Sequence, residues 1–254
     1  PELVCRPRIQ KVWMRLEQMM LPRIEHMITV NQSIASIFEH KYGIKCSVVR
    51  NVPERLDHIA AHSKSFLGLS DAQFMLIIQG SGLNVERGIE EAVVAMTQIP
   101  RAVLFLVGDG DVIPGIQKLV AQLQLQDQVR FIGRVPYNEL LKYTAAADLG
   151  LALDKPHSLN YALALPNKVF DYIQAGTPIV ASSLIEIEKL IHKHNCGVVL
   201  TEVTPQMIAE KINALIDQPE QRAEYKKNCQ LAAQLENWDA DKQILMEVVE
   251  CVFI

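Results

Sequence analysis

From Phe74 onward, short, mostly apolar runs recur along the chain. Each is followed by a stretch in which apolar residues return every three or four positions. The runs are Phe74-Met75-Leu76-Ile77-Ile78-Gln79, Ala102–Val107, Val129–Ile132, Asp148–Leu153, Pro178–Ala181 and Gly197–Leu200. A strand buried on both faces reads this way, because both of its side-chain rows meet a packed layer. Helical spacing predicts helices over 87–97, 114–125, 137–146, 166–175 and 184–194, then 205–217 and 219–235. Strands alternating with helices of this length mean β-α-β units with right-handed crossovers. The expected fold is α/β, a Rossmann-like parallel sheet flanked by helices.

The first third has the same rhythm but too few parts. Helical spacing covers 1–24, with Pro22 marking the end. Strands are expected at Met27–Val30 and Ser47–Arg50, around a helix capped by Asn31 or Ser33 and stopped by Tyr42-Gly43. Residues 54–72 are a polar connector. The expected division is 1–53 as the remnant of a larger domain, 54–235 as the main Rossmann-like domain, and 236–254 as a closing helix. That helix carries Ile244, Leu245, Val248, Val249, Val252 and Phe253, and it is expected to dock on something. The chain opens Pro1-Glu2-Leu3 rather than on methionine, so a longer parent polypeptide is expected.

Composition narrows the class. With 254 residues, 49% of them hydrophobic, the chain can bury a sizeable core. A net charge of −4, from 25 basic and 29 acidic residues, gives no field for a polyanion, so nucleic acid is not an expected partner. Cys5, Cys46, Cys196, Cys229 and Cys251 are scattered without a C-x-x-C, so they read as reduced thiols of a cytoplasmic protein. No apolar run is long enough to span a bilayer.

Two stretches carry candidate chemistry. Gly80-Ser81-Gly82 turns from a strand toward a helix, where backbone N–H groups can face a phosphate. Arg87 follows, expected at the start of that helix. In the second stretch, Pro166-Asn167-Lys168-Val169-Phe170-Asp171 opens a helix that Gly176 closes. A cation in the first turn opposes the helix dipole, so Lys168 has another reason to be there, and a bound diphosphate supplies one. Asp171, one turn later, can accept hydrogen bonds from a vicinal diol. An ordinary Lys168–Asp171 surface pair is the plain alternative. Ser158, Asn160 and Tyr161, in the loop after the fourth of the runs, are expected to reach the same cleft. No histidine or cysteine group has metal-ligand spacing.

Together these marks resemble the C-terminal, donor-binding domain of the group 1 (retaining, GT-B fold) glycosyltransferases. The resemblance spans residues 73–200. It rests on Gln79-Gly80 with Arg87-Gly88, Val107-Gly108-Asp109-Gly110, Val129 with Phe131 and Gly133, and Ala147-Asp148-Leu149-Gly150. It continues in Asn160-Tyr161 and Pro166-Asn167-Lys168, then Phe170-Asp171-Tyr172 and Gly176-Thr177-Pro178. It implies a nucleotide-sugar donor, no cofactor and no metal. Arg87 and Lys168 would neutralise the leaving diphosphate as catalytic groups, and Asp171 would hold the ribose. Backbone at Phe131, Ile132 and Gly133 would meet the base. Gly80, Ser81, Gly82, Gly108, Asn160, Tyr161 and Asn167 complete the implied donor site. Many relatives carry a second acidic residue eight positions before the ribose carboxylate, but this chain has Leu163 there. The acceptor side is expected in a missing N-terminal domain, leaving this piece inactive alone. Any peripheral membrane contact would come through that domain. Self-association through bare apolar helices is also expected. Two alternatives stay open: a nicotinamide- or nucleotide-binding Rossmann module of another class, or a non-catalytic binding module.

Overall fold

The computed structural model describes residues 6–253, with side chains to Glu250. A first unit comprises α1 (Pro7–Met20), a 3-10 turn at Leu21–Arg23, β1 (His26–Thr29), α2 (Gln32–Tyr42) and β2 (Lys45–Val48). β1 and β2 pair in parallel as a separate two-stranded sheet. Asn31 caps α2 by accepting from Ile34 N, and Gly43 ends it with φ of 68°. β2 stops two residues before the expected strand does, because Arg50 is drawn into ion pairs with Glu236 and Asp241. Residues 1–5 of the expected first helix, and the side chains of Val252 and Phe253, lie outside the described residues.

The main sheet follows. Its elements are β3 (Phe74–Gly80), α3 (Ile89–Ala95), β4 (Ala102–Gly108), α4 (Ile113–Gln122), β5 (Val129–Gly133) and α5 (Tyr137–Ala146). Next come β6 (Leu149–Ala152), α6 (Leu159–Ala162), α7 (Asn167–Gln174), β7 (Ile179–Ser182), α8 (Ile185–His194) and β8 (Gly197–Leu200). Helices α9 (Pro205–Ile216), α10 (Pro219–Ala233) and α11 (Trp238–Phe253) end the chain. The six strands run β5-β4-β3-β6-β7-β8, and the pairs are parallel.

Strand alternation divides the core. Leu76, Ile78, Leu104 and Leu106 face the layer that contains α3, α4 and α9, whereas Met75, Ile77, Val103 and Phe105 face α7 and α8. The connector after β2 joins this packing, since Val52, Leu67 and Leu69 bury on the second face. Strand order reverses between β3 and β6. Crevices for ligands form at such a switch, beyond the carboxyl ends of the strands. Gly108 helps form this edge. Its φ is 137°, and a Cβ there would run into the carbonyl oxygen of Gly80 on the neighbouring strand.

α1 buries none of its residues. Val12 (56%), Trp13 (59%) and Met20 (57%) are largely exposed. α11 turns Val248 inward but leaves Ile244, Met246 and Val249 exposed. It is attached mainly at its start, where Trp238 N donates to Pro53 O at 2.8 Å.

Candidate functional site

A cavity of about 870 Å³ opens at the switch point. Gln79, Gly80, Ser81, Gly82 and Arg87 line one side, and Asn167, Lys168 and Asp171 line another. Tyr137 and Leu140 of α5 close a third side. The fourth wall is Asn51-Val52-Pro53-Glu54, the joint between the first unit and the main domain.

Seven expected site residues therefore share one cavity, and six stand apart from its lining. Gly108 is held in the β3–β4 edge. Phe131 and Ile132 pack into opposite faces of the core. Gly133 ends β5 with φ of 76°. Asn160 is exposed. Tyr161 lies beside the site rather than in its wall, with the Arg87 guanidinium over its ring at 4.9 Å.

Three local expectations are corrected. Arg87 does not begin a helix, because α3 starts at Ile89 behind Gly88. Gly88 has φ of 70°, and a Cβ on it would lie 2.5 Å from the Leu153 carbonyl oxygen. Only glycine lets this loop pass the end of β6, and that passage brings Arg87 across the switch point. Pro166 is the residue before α7, in extended geometry, rather than part of its first turn. Residues 159–162 form a one-turn helix instead of a loop, and the Ser158 hydroxyl is occupied as its cap, accepting from Tyr161 N.

The polar partners are ones the sequence does not point to, and the plain alternative is not formed. Lys168 does not pair with Asp171. Its ammonium lies 2.9 Å from Oδ2 of Asp154, a fully buried carboxylate two residues past β6. Arg87 Nη1 donates to Oδ1 of the same carboxylate. Burial pushes the Asp154 carboxyl up, but Lys168 and Arg87 outweigh it and hold the group below the usual aspartate value. The main chain here is fixed as well. Ser182 Oγ donates to Asp154 O at 2.6 Å, and Lys155 N donates to Glu86 O at 2.9 Å.

Asp171 has a different environment. Its Oδ2 accepts from Gln79 Nε2 at 2.9 Å, and its Oδ1 accepts from the Tyr137 hydroxyl at 2.8 Å. Gln79 Oε1 in turn accepts from Thr144 Oγ1 at 2.6 Å. These bonds fix the carboxylate plane while leaving lone pairs free on both oxygens. Burial raises the Asp171 carboxyl, and the two hydrogen bonds only partly offset this. Burial, then the nearby Asp171 charge, raises the Tyr137 phenol.

Sequence reasoning missed Asp154, Tyr137 and the wall at 51–54. Asp154 follows an apolar strand in a chain with many carboxylates, and nothing local sets it apart. Among the described residues no cluster of histidine, cysteine or acidic side chains could hold a metal. Cys46, Cys196 and Cys229 are free thiols. No helix among the described residues is long and apolar enough to cross a membrane.

Residues 67–231 match the family model described as glycosyl transferases group 1. Alpha-D-kanosaminyltransferase of Streptomyces kanamyceticus is 24% identical over 165 residues, which are 63% of this chain and 41% of that protein. Sucrose-phosphate synthase of Thermosynechococcus elongatus superposes with a TM-score of 0.78 at 20% identity, over 96% of this chain and 62% of that one. Anabaena HepE, solved in complex with UDP-glucose, gives 0.74 at 20% identity over 89% of this chain and 64% of that one. The chain thus spans under half of the curated relative and under two thirds of the solved structures.

Proposed function

This chain belongs to the group 1 glycosyl transferases, and from that premise we propose that its cavity takes the donor, a nucleotide-diphosphate sugar. The observation that carries the reading is the convergence of Arg87 and Lys168 on one end of the cavity, with the Asp171 carboxylate a helical turn away. The two cations receive the diphosphate. As the sugar leaves, charge grows on the diphosphate oxygen, and the cations interact more strongly with the transition state than with the ground state. This charge compensation calls for no divalent metal. Asp171 holds the ribose diol with the lone pairs that Gln79 and Tyr137 leave free. The Gly80-Ser81-Gly82 backbone approaches the phosphates.

In the whole protein the sugar passes with retention to an acceptor bound on the other side of the cleft. A fold relative solved in complex with UDP-glucose supports a nucleotide-sugar as the ligand class, and the family resemblance supports retention. Calorimetric titration with UDP and GDP, against uridine and guanosine, tests the reading. Binding that requires the diphosphate is expected, and equal affinity for nucleoside and nucleoside diphosphate would refute it.

Asp171→Asn gives a prediction of mixed sign. Asn can still accept from Gln79 and donate to the Tyr137 oxygen, so the network closes. The carboxyl is raised in the fold, so its charge costs stability above the ordinary aspartate value. The variant should therefore melt higher at neutral pH, and the gain should vanish in acid, where the wild-type carboxyl is protonated both folded and unfolded. Nucleotide affinity should fall about 10-fold, the effect of losing one charge-assisted hydrogen bond to the ribose. Thermal melts at two pH values, with calorimetry, check both signs.

A further inference from the structure

We infer that Asp154 is a positioning residue of the donor site, a buried carboxylate that fixes the spacing and aim of Arg87 and Lys168. The inference rests on the donor reading above and extends it to a residue that does not itself line the cavity. Its side chain has no solvent exposure, and each oxygen meets a different cation. Arg87 and Lys168 do line the cavity, so each faces the carboxylate on one side and the cavity on the other.

The geometry is not that of a closed structural ion pair. Arg87 Nε is buried without a partner, and Asp154 Oδ2 has its ammonium at 2.9 Å but no well-aligned hydrogen bond. Polar capacity is left over on the cation side. Asp154 is itself held firmly: Ser182 anchors its carbonyl, Lys155 N ties the strand end to the loop that carries Arg87, and Tyr161 backs the guanidinium. Two cations this close repel unless an anion stands between them. Asp154 supplies that anion from inside the protein, so the cations keep one arrangement at the cavity wall.

Simple electrostatics makes the opposite prediction, which gives the test its edge. A carboxylate near a diphosphate site repels the ligand, so neutralising it should tighten binding. Positioning requires that neutralising it weakens binding. Asp154→Asn, which keeps the shape, is expected to lower UDP or GDP affinity about tenfold or more, a loss of ~1.4 kcal/mol. Affinity for uridine or guanosine should not change, and a merely structural role would not shift that ratio. Unchanged or tighter diphosphate binding overturns the inference. If Asp154→Asn fails to fold by circular dichroism, Asp154→Glu decides. It keeps the charge but displaces both cations by one methylene. A diphosphate-specific loss supports positioning, and wild-type affinity overturns it.

A separate readout covers failure of the donor reading itself. If the wild-type chain binds no nucleoside diphosphate, acylation of the Lys168 amine is followed by mass spectrometry. A several-fold faster modification in Asp154→Asn supports the positioning role without any nucleotide. An unchanged rate refutes it.

Discussion

Lys168→Ala is expected to reduce nucleoside diphosphate affinity roughly 10- to 150-fold while leaving nucleoside affinity intact. A hydrogen bond to a charged partner contributes about 1.5–3 kcal/mol net, and ~1.4 kcal/mol is tenfold in binding. Lys168 is only 9% exposed, so solvent screens it little. Arg87→Ala should fall in the same range, and Arg87→Lys should not restore binding. A planar guanidinium presents several donors at fixed angles, and an ammonium presents a point charge. The stability cost separates the two substitutions from a general loss of fold. Each removes one of the two cations that hold Asp154, so both variants should melt lower and lose steepness against acid. The folded Asp154 carboxyl lies below its ordinary value. Its stabilisation is therefore present above that value and is lost as the pH falls through the folded one. A Lys168→Ala protein that binds diphosphate as well as the wild type would remove Lys168 from the donor site.

Much of this arrangement is visible in the sequence, because apolar runs and helical spacing respond to burial, which is local in its demands. Phe74–Gln79 could be only a strand covered on both faces, and it is β3 at the centre of the sheet. The two anion-site segments were legible for a similar reason: glycines at a strand end and a lysine in a first helical turn are unusual locally. The partners of those residues were not. Asp154 meets Arg87 across 67 positions, and Lys168 meets it only because β6 and α7 are adjacent at the switch point. Spacing within a helix allows a Lys168–Asp171 pair as the plain alternative, but packing gives the two side chains different partners, Asp154 for one and Gln79 with Tyr137 for the other. The start of α3 was misplaced because Arg87 is a good helix former, and the steric limit at Gly88 arises from Leu153, far away in sequence. The wall at 51–54 reads only as the end of the first unit and the start of the connector, and the Trp238–Pro53 backbone bond that ties it to the start of α11 is not visible locally.

That joint carries the largest expected effect on stability. Arg50→Met should cost about 3–5 kcal/mol, the usual consequence of removing one partner from a buried ion pair. At about 2–4 °C for each kcal/mol in a chain this size, the melting temperature should fall by roughly 6–20 °C. Arg50 grips Asp241 with a fork, Nε at 3.1 Å and Nη2 at 2.6 Å, while its own backbone N donates to Oδ1 at 2.7 Å. Its Nη1 reaches Glu236, which also takes Lys193 Nζ at 2.7 Å and His194 Nε2 at 2.6 Å. Both carboxylates are almost wholly buried. Methionine can replace the aliphatic stem but not the charge, so Asp241 would keep only a backbone donor. Glu236 would keep Lys193 and His194, and Asp241 should therefore dominate the loss. Burial raises the Glu236 carboxyl, but His194, Lys193 and Arg50 together bring it well below the glutamate range. The stabilisation is thus present at neutral pH and fades in strong acid. The gap between wild type and variant should begin to narrow below pH ~4, where Glu236 becomes protonated in the unfolded chain, and should shrink further as the pH falls toward its depressed folded value. Because this cluster joins the end of β2, the end of α8 and the start of α11, its loss frees the wall at 51–54. Nucleotide affinity should then fall even at temperatures where the main sheet stays folded. A variant that melts within ~2 °C of the wild type at pH 7 would show that Asp241 finds another partner, and that the joint is held by the Trp238–Pro53 backbone contact instead.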